Sequence, residues 1–141
     1  MTSEPRGART SFVIASRNRS AELATVLRLL LDTTNSPIIL VDNASDDDSV
    51  AMARRVADGS AGRLTVIELD ENLGAVGRNV GVSRAATPFV AFCDDDCWWH
   101  DGSLARARAL LDANAGVVSL TARILVGADN REDPASTHMA R

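Results

Sequence analysis

A run of five apolar residues, Phe89 to Cys93, constrains the fold of this chain more than any other stretch. Because no polar residue interrupts the run, it is typical of a strand that is buried on both faces of a sheet. Three aspartates, Asp94 to Asp96, follow at once. In an open sheet of parallel strands, ligands bind at the edge where the carboxyl ends of the strands meet. The run therefore predicts an acidic group at a ligand-binding edge.

The rest of the chain alternates between apolar strands and helical patterns. The strands are predicted at 11–15, 38–41, 64–69, 89–93 and 117–126. The first helix is predicted to begin at Ser20, as N-cap, and to end at the break at 35–37. Further helices are predicted at 49–57, 75–85 and around 104–111. Asp46 to Asp48 are expected to cap the second helix. This alternation predicts an α/β fold whose mostly parallel sheet is covered on both faces.

Composition narrows the functional class. The net charge of −4 argues against a nucleic-acid partner. The two cysteines form neither a disulfide framework nor a four-ligand zinc set, so a cytoplasmic setting is expected. No stretch is long enough to span a membrane, which leaves peripheral association open.

The length of 141 residues predicts one domain. We expect a polar leader over 1–10, the α/β domain over 11–126 and a polar tail over 127–141.

Polar residues follow three of the predicted strands. These are Ser16 to Asn18, Asp42 with Asn43, and the three aspartates. Each acid taken alone could be a turn or cap residue, and Arg78 could be a surface helix residue. Together at one edge, the carboxylates would repel one another, and Mg²⁺ or a related cation would remove that conflict. Asp42 could accept hydrogen bonds from a base or ribose, and Arg78 could bind a diphosphate.

Four ordered motifs carry a family resemblance across residues 11–125. They lie at 12–19 (FVIASRNR), 39–49 (ILVDNASDDDS), 72–81 (NLGAVGRNVG) and 92–96 (FCDDD). The chain resembles the donor-binding part of a family 2 glycosyltransferase. The resemblance implies a GT-A type fold, a Rossmann-like αβα sandwich, which we expect to be truncated after the Asp-x-Asp region.

The resemblance also implies a site and a reaction. The donor would be a nucleoside diphosphate sugar, with a UDP-sugar favoured, and sugar transfer to an acceptor hydroxyl would proceed with inversion. The acceptor, whether glycan, lipid or small molecule, stays open. Asp94 and Asp96 would bind Mg²⁺ or Mn²⁺. The residues implied to contact the nucleotide sugar are Ala15, Ser16, Arg17, Asp42, Arg78, Asp94 and Asp95.

Two departures from the family pattern bear on these expectations. Arg17 stands where the family has a Tyr that can stack on the base, although a guanidinium can also stack on a flat ring. The chain ends 45 residues after Asp96, and no catalytic general base is identified. A donor-binding domain that does not transfer sugar is the alternative. A sugar nucleotidyltransferase of related fold would need a glycine-rich, basic first loop that contains a Lys, and the chain has no Lys.

Overall fold

The computed structural model describes residues 8–139 and divides into two compact units. The first unit ends at Asp101 and the second begins at Gly102. The predicted domain 11–126 thus spans parts of both units, which we describe separately.

The first unit is an α/β unit built on a four-stranded parallel sheet, which confirms the predicted fold class. The strand order is β3-β2-β1-β4. Its strands are β1 (Thr10–Ser16), β2 (Ile38–Asp42), β3 (Leu64–Glu68) and β4 (Phe89–Phe92). Its helices are α1 (Ser20–Thr33), α2 (Ser49–Asp58) and α3 (Gly77–Arg84), with a 3₁₀ turn at Gly74–Val76 before α3.

The core lies on the two central strands. All five residues of β2 are buried, as are six of the seven residues of β1. Because successive side chains of a strand point to opposite faces, this burial means that both faces are covered. The apolar stripe of α1 is buried as well, through Leu23, Val26, Leu27 and Leu30.

Helix α3 lies against the sheet at Gly81. A methyl group at this position would lie 2.5 Å from Val13 Cγ1 and 3.2 Å from Val41 Cγ2. The glycine that weakens the helix in isolation is therefore what allows α3 to approach β1 and β2 closely.

Two expectations about these elements are corrected. Ser20 is the first residue of α1 rather than its N-cap, and its N–H donates to Asp47 of the next loop. Strand β4 is not buried on both faces, because Phe92 is 54% exposed and the strand lies at the edge of the sheet.

The second unit contains α4 (Ser103–Ala113), β5 (Leu125–Val126), β6 (Arg131–Glu132) and α5 (Pro134–Met139). The short strands β5 and β6 pair antiparallel. The predicted fifth strand over 117–126 is wrong except at its last two residues, since residues 117–124 have no regular secondary structure. The predicted tail likewise contains β6 and α5 rather than loop alone.

Candidate functional site

Three strand ends meet at the carboxyl edge of the sheet, around Ser16. Ser16 pairs with Asp42 in the register of β1 and β2, and its carbonyl accepts the N–H of Asn43 at 2.9 Å. Its hydroxyl donates to Asp95 Oδ2 at 2.7 Å in a buried contact. The structure therefore brings together the ends of β1 and β2 and the acidic stretch after β4, as the sequence predicted from the parallel strands.

Two arginines hold the acidic stretch. Arg78 donates to Asp94 Oδ1 from the first turn of α3. Arg19 lies on both other carboxylates, with Nε 3.3 Å from Asp95 Oδ1 and Nη2 3.2 Å from Asp96 Oδ2. The repulsion expected among three carboxylates is thus offset by the chain's own cations.

The three aspartates differ in how accessible they are. The side chain of Asp95 is 12% exposed, its Oδ2 accepts the Ser16 hydroxyl, and its Oδ1 forms an ion pair with Arg19. The side chains of Asp94 and Asp96 are 62% and 56% exposed, and each has one oxygen outside its arginine contact. Asp95 is therefore built into the fold, while its two neighbours face solvent.

Asp42 is buried and holds the turn that follows β2. Its Oδ2 accepts the N–H of Ser45 at 2.9 Å, and its Oδ1 accepts the Ser45 hydroxyl at 2.5 Å. These bonds give Asp42 a role in shaping the loop. Its predicted contact with a base stays a prediction.

Reciprocal bonds lock the loop after β1 to the loop after β2. Asp46 N–H donates to Asn18 Oδ1 at 2.7 Å, and Asn18 N–H donates to Ser45 Oγ at 3.0 Å. Arg17 donates to the Ala44 carbonyl at 3.2 Å and contacts Asp46 Oδ2 at 3.4 Å. The two loops thus form one hydrogen-bonded rim, and the guanidinium of Arg17 lies on that rim, partly exposed.

Asn43 positions α3, and with it Arg78. Its side chain donates to the Gly74 carbonyl at 3.1 Å and accepts the N–H of Leu73 at 3.2 Å. A methyl group on Gly77 would lie 2.8 Å from Asn43 Oδ1, so a larger residue there would force this amide to shift from its two bonds.

A pair of free thiols brackets the acidic stretch. Cys93 is buried, Cys97 is exposed, and their sulfur atoms lie 3.9 Å apart. Hydrogen bonding with Cys93 and from the Asp94 N–H lowers the pKa of Cys97 to about 7, against the opposing effect of its partial burial. The hydrogen bond with Cys97 and burial raise the pKa of Cys93.

The donor chemistry of the site suits a hard divalent cation. Within residues 8–139, no three His, Cys, Asp or Glu side chains are arranged to hold a metal ion. Mg²⁺, however, is usually held by one or two carboxylates together with substrate phosphates, and the accessible oxygens of Asp94 and Asp96 match that pattern. These residues therefore fit a cation that is completed by a phosphate ligand.

Two further predicted residues lie at the expected edge of the sheet. Ala15 and Ser16 lie at the end of β1, within the same edge as the aspartates. Asn43 was expected at this edge but given no role of its own, and sequence reasoning missed Arg19 as a site residue. The signal for Arg19 was a basic residue in the turn after β1, on the edge where three acids were expected.

A comparison with protein families decides the identity. The family described as "Glycosyl transferase family 2" matches residues 11–140. The chain belongs to glycosyl transferase family 2. The family predicted from the four motifs is thus confirmed.

Two curated relatives match similar shares of this glycosyl transferase chain. The succinoglycan biosynthesis protein ExoU of Rhizobium meliloti (strain 1021) is 31% identical over 94 residues, which is 65% of this chain and 27% of that protein. The putative glycosyltransferase EpsH of Bacillus subtilis (strain 168) is 33% identical over 90 residues, or 62% of this chain and 26% of its own length. The chain thus spans about a quarter of these relatives.

Solved structures share the fold. The mannosyltransferase PcManGT from Pyrobaculum calidifontis, in complex with GDP-Man and Mn²⁺, has a TM-score of 0.66 at 24% identity and covers 73% of this chain and 32% of its own. S. aureus TarS 1-349 in complex with UDP-GlcNAc has a TM-score of 0.65 at 20% identity and covers 84% and 38%. The GT-A type fold predicted for this glycosyl transferase chain is therefore confirmed.

The structure contains no candidate membrane span in residues 8–139, since no helix there is both long and apolar enough.

Proposed function

We propose that this chain is the donor-binding part of a glycosyltransferase, which binds a nucleoside diphosphate sugar with a divalent cation at the carboxyl edge of its sheet. The observation that carries the proposal is the bond from Ser16 to Asp95, because it joins the rim of β1 and β2 to the acidic stretch after β4. Membership in family 2 supports the class of donor.

Each predicted residue has a role in this proposal. Ala15, Ser16 and Arg17 form the floor and rim on which the nucleotide lies, and Asp42 orders the rim and accepts from the base. Arg78 binds the diphosphate, where its planar donors match phosphate oxygens. Asp95 contacts the ribose side of the donor from its fixed position.

Asp94 and Asp96 are the proposed ligands of Mg²⁺ or Mn²⁺. When bound, the cation offsets the charge that develops on the departing nucleoside diphosphate. PcManGT was solved with GDP-Man and Mn²⁺, and TarS with UDP-GlcNAc. These complexes support a divalent cation and a nucleotide sugar, with guanine or uracil as the base. We favour a UDP-sugar, and we expect inversion at the anomeric carbon when an acceptor hydroxyl attacks.

The acceptor is proposed only by class, as the hydroxyl of a glycan, lipid or small molecule. Free thiols at Cys93 and Cys97 support a reducing, cytoplasmic setting. Any membrane contact in this proposal is peripheral.

Calorimetric titration tests the proposal. UDP and GDP are titrated into the chain with and without Mn²⁺, and we expect UDP binding that requires the cation. Asp96→Asn should weaken that binding roughly tenfold or more, since it removes a charged ligand. Asp32→Asn makes the same chemical change on the last turns of α1 and should leave binding unchanged. Failure of both nucleotides to bind in either condition would refute the proposal.

A second measurement distinguishes a chain that transfers sugar from one that only binds the donor. UDP released from a UDP-sugar by this chain, with Mn²⁺ present, would show turnover and reject the alternative of donor binding without transfer. Binding without release would favour that alternative.

A further inference from the structure

Arg19 makes the densest set of ionic contacts at the site. Its guanidinium lies 3.3 Å from Asp95 Oδ1 and 3.2 Å from Asp96 Oδ2, with Glu22 Oε1 at 4.0 Å. Since Asp95 is also fixed by Ser16, the guanidinium is anchored on its buried side, and its second contact reaches the accessible Asp96. A cation that binds Asp96 therefore meets a positive charge already in place.

The charge balance of the site explains what this contact does. Four carboxylates, those of the three aspartates and Glu22, face two guanidinium groups, those of Arg19 and Arg78, so about half of the negative charge is offset before any ligand arrives. A divalent cation bound at Asp96 would lie beside the Arg19 guanidinium, and the two like charges would repel each other. A diphosphate that arrives with the cation would reduce this repulsion, because its negative oxygens attract both the cation and the guanidinium.

We propose that Arg19 is a positioning residue that serves as a built-in counter-cation: it weakens binding of the free metal ion and couples metal binding to binding of the nucleoside diphosphate. When the cation binds Asp96, the guanidinium exchanges this carboxylate for a phosphate oxygen and keeps its contact with Asp95. This inference rests on the proposed function. It adds that the metal ion and the nucleoside diphosphate bind to the site together.

Reciprocity makes the coupling measurable. If Arg19 couples the two ligands, its loss must strengthen binding of the metal alone and reduce the factor by which UDP tightens metal binding. A residue that only stabilised the loop would weaken both kinds of binding.

The experiment measures free Mn²⁺ by electron paramagnetic resonance during titration of the full chain, with and without saturating UDP. Arg19→Gln should bind Mn²⁺ alone roughly threefold to tenfold more tightly than the wild type, as expected for removing a partly exposed like charge. The tightening by UDP should fall by a similar factor. Arg28→Gln removes the same charge from an exposed position further along α1, and it should change Mn²⁺ affinity less than about twofold.

The Arg19→Lys variant tests whether the effect comes from the positive charge, rather than from a folding defect or from the shape of the guanidinium. It keeps the positive charge, so Mn²⁺ affinity without nucleotide should stay within about twofold of the wild type. The inference is overturned if Arg19→Gln binds Mn²⁺ alone no more tightly than Arg28→Gln, or if the UDP effect is unchanged. Because the metal titration needs no nucleotide, failure of UDP and GDP to bind refutes the proposed function separately.

Discussion

A single carboxylate, that of Asp47, serves the start of two helices. Its Oδ1 accepts the N–H of Ser49 at 2.9 Å, and its Oδ2 accepts the N–H of Ser20 at 3.3 Å. Hydrogen bonding by Ser49 and by the Ser20 backbone lowers the pKa of Asp47 below its usual 3.8. The first N–H groups of a helix have no partner within the helix, and Asp47 supplies one for each of these two helices.

Replacing that carboxylate should destabilise the fold in a pH-dependent way. We expect Asp47→Ala to lower the free energy of unfolding by about 1 kcal/mol at pH 7, the usual effect of losing an N-cap. A lowered pKa stabilises the fold above the unfolded-state pKa, and that contribution disappears as pH falls through the folded value. The difference from the wild type in urea unfolding should therefore shrink below about pH 3.8.

Asp48 provides the matched control for this measurement. It precedes α2 directly but its side chain makes no capping bond, so Asp48→Ala should stay within about 0.5 kcal/mol of the wild type. An equal loss in both variants would contradict the assignment of the cap to Asp47.

The thiol pair gives a second residue-scale prediction. Because the pKa of Cys97 is lowered to about 7 and that of Cys93 is raised, we expect iodoacetamide to modify Cys97 first. The rate should rise between pH 6 and 8 as the Cys97 thiolate forms, which peptide mass spectrometry can follow. Cys97→Ser should leave only slow labelling at the buried Cys93. Faster labelling of Cys93 in the wild type would contradict the arrangement.

Individual side-chain partners were the least predictable feature of the site. The residue types after β1, β2 and β4 were enough to predict that acids and an arginine would share one edge. They did not show that Arg19 would contact Asp95 and Asp96, because that depends on a turn in which Asn18 takes a φ of 54°. Long side chains that start from such turns can reach many partners.

At the scale of elements, the approach of α3 to the sheet depends on one missing side chain. Gly81→Ala places a methyl group 2.5 Å from Val13 Cγ1, so either α3 or β1 must shift. We expect a loss of roughly 1–3 kcal/mol in unfolding free energy, which outweighs the gain in helix propensity. Urea denaturation followed by circular dichroism measures it.

A second glycine tests whether the effect comes from packing. At Gly59, just after α2, a methyl group would lie 3.7 Å from the Val56 carbonyl, which is ordinary contact. Gly59→Ala should therefore stay within about 0.5 kcal/mol of the wild type or stabilise slightly. A Gly81→Ala variant as stable as the wild type would show that α3 does not need this close approach.

Segments rich in apolar residues predicted the parallel strands well, and the prediction failed where no partner strand is present within residues 8–139. The segments at 38–41 and 64–69 form β2 and β3, because their backbones are hydrogen-bonded to neighbouring strands. The stretch 117–124 has five apolar residues out of eight, a share close to that of 64–69, yet it has no regular secondary structure. Apolar composition indicates a tendency to form a strand, but a partner strand decides the outcome.

At the scale of the whole molecule, local stability should differ strongly along the chain. The backbone groups of β1 and β2 are paired on both sides and buried, which is typical of the last region to open. Residues 117–124 belong to the second unit and are exposed throughout. Val118, at 96% exposure, has no burial to protect its backbone.

Hydrogen–deuterium exchange with peptide mass spectrometry measures this difference directly. Amides of 38–42 should exchange roughly a thousandfold or more slowly than amides of 118–123, since the first open only with the fold and the second are open already. Helix α4, at 103–113 in the same unit, is the internal control and should exchange at an intermediate rate because its amides are bonded within the helix. Protection of 118–123 equal to that of α4 would mean that these residues pair with a strand in solution, as their sequence predicted. The second unit would then gain backbone pairing beyond β5 and β6.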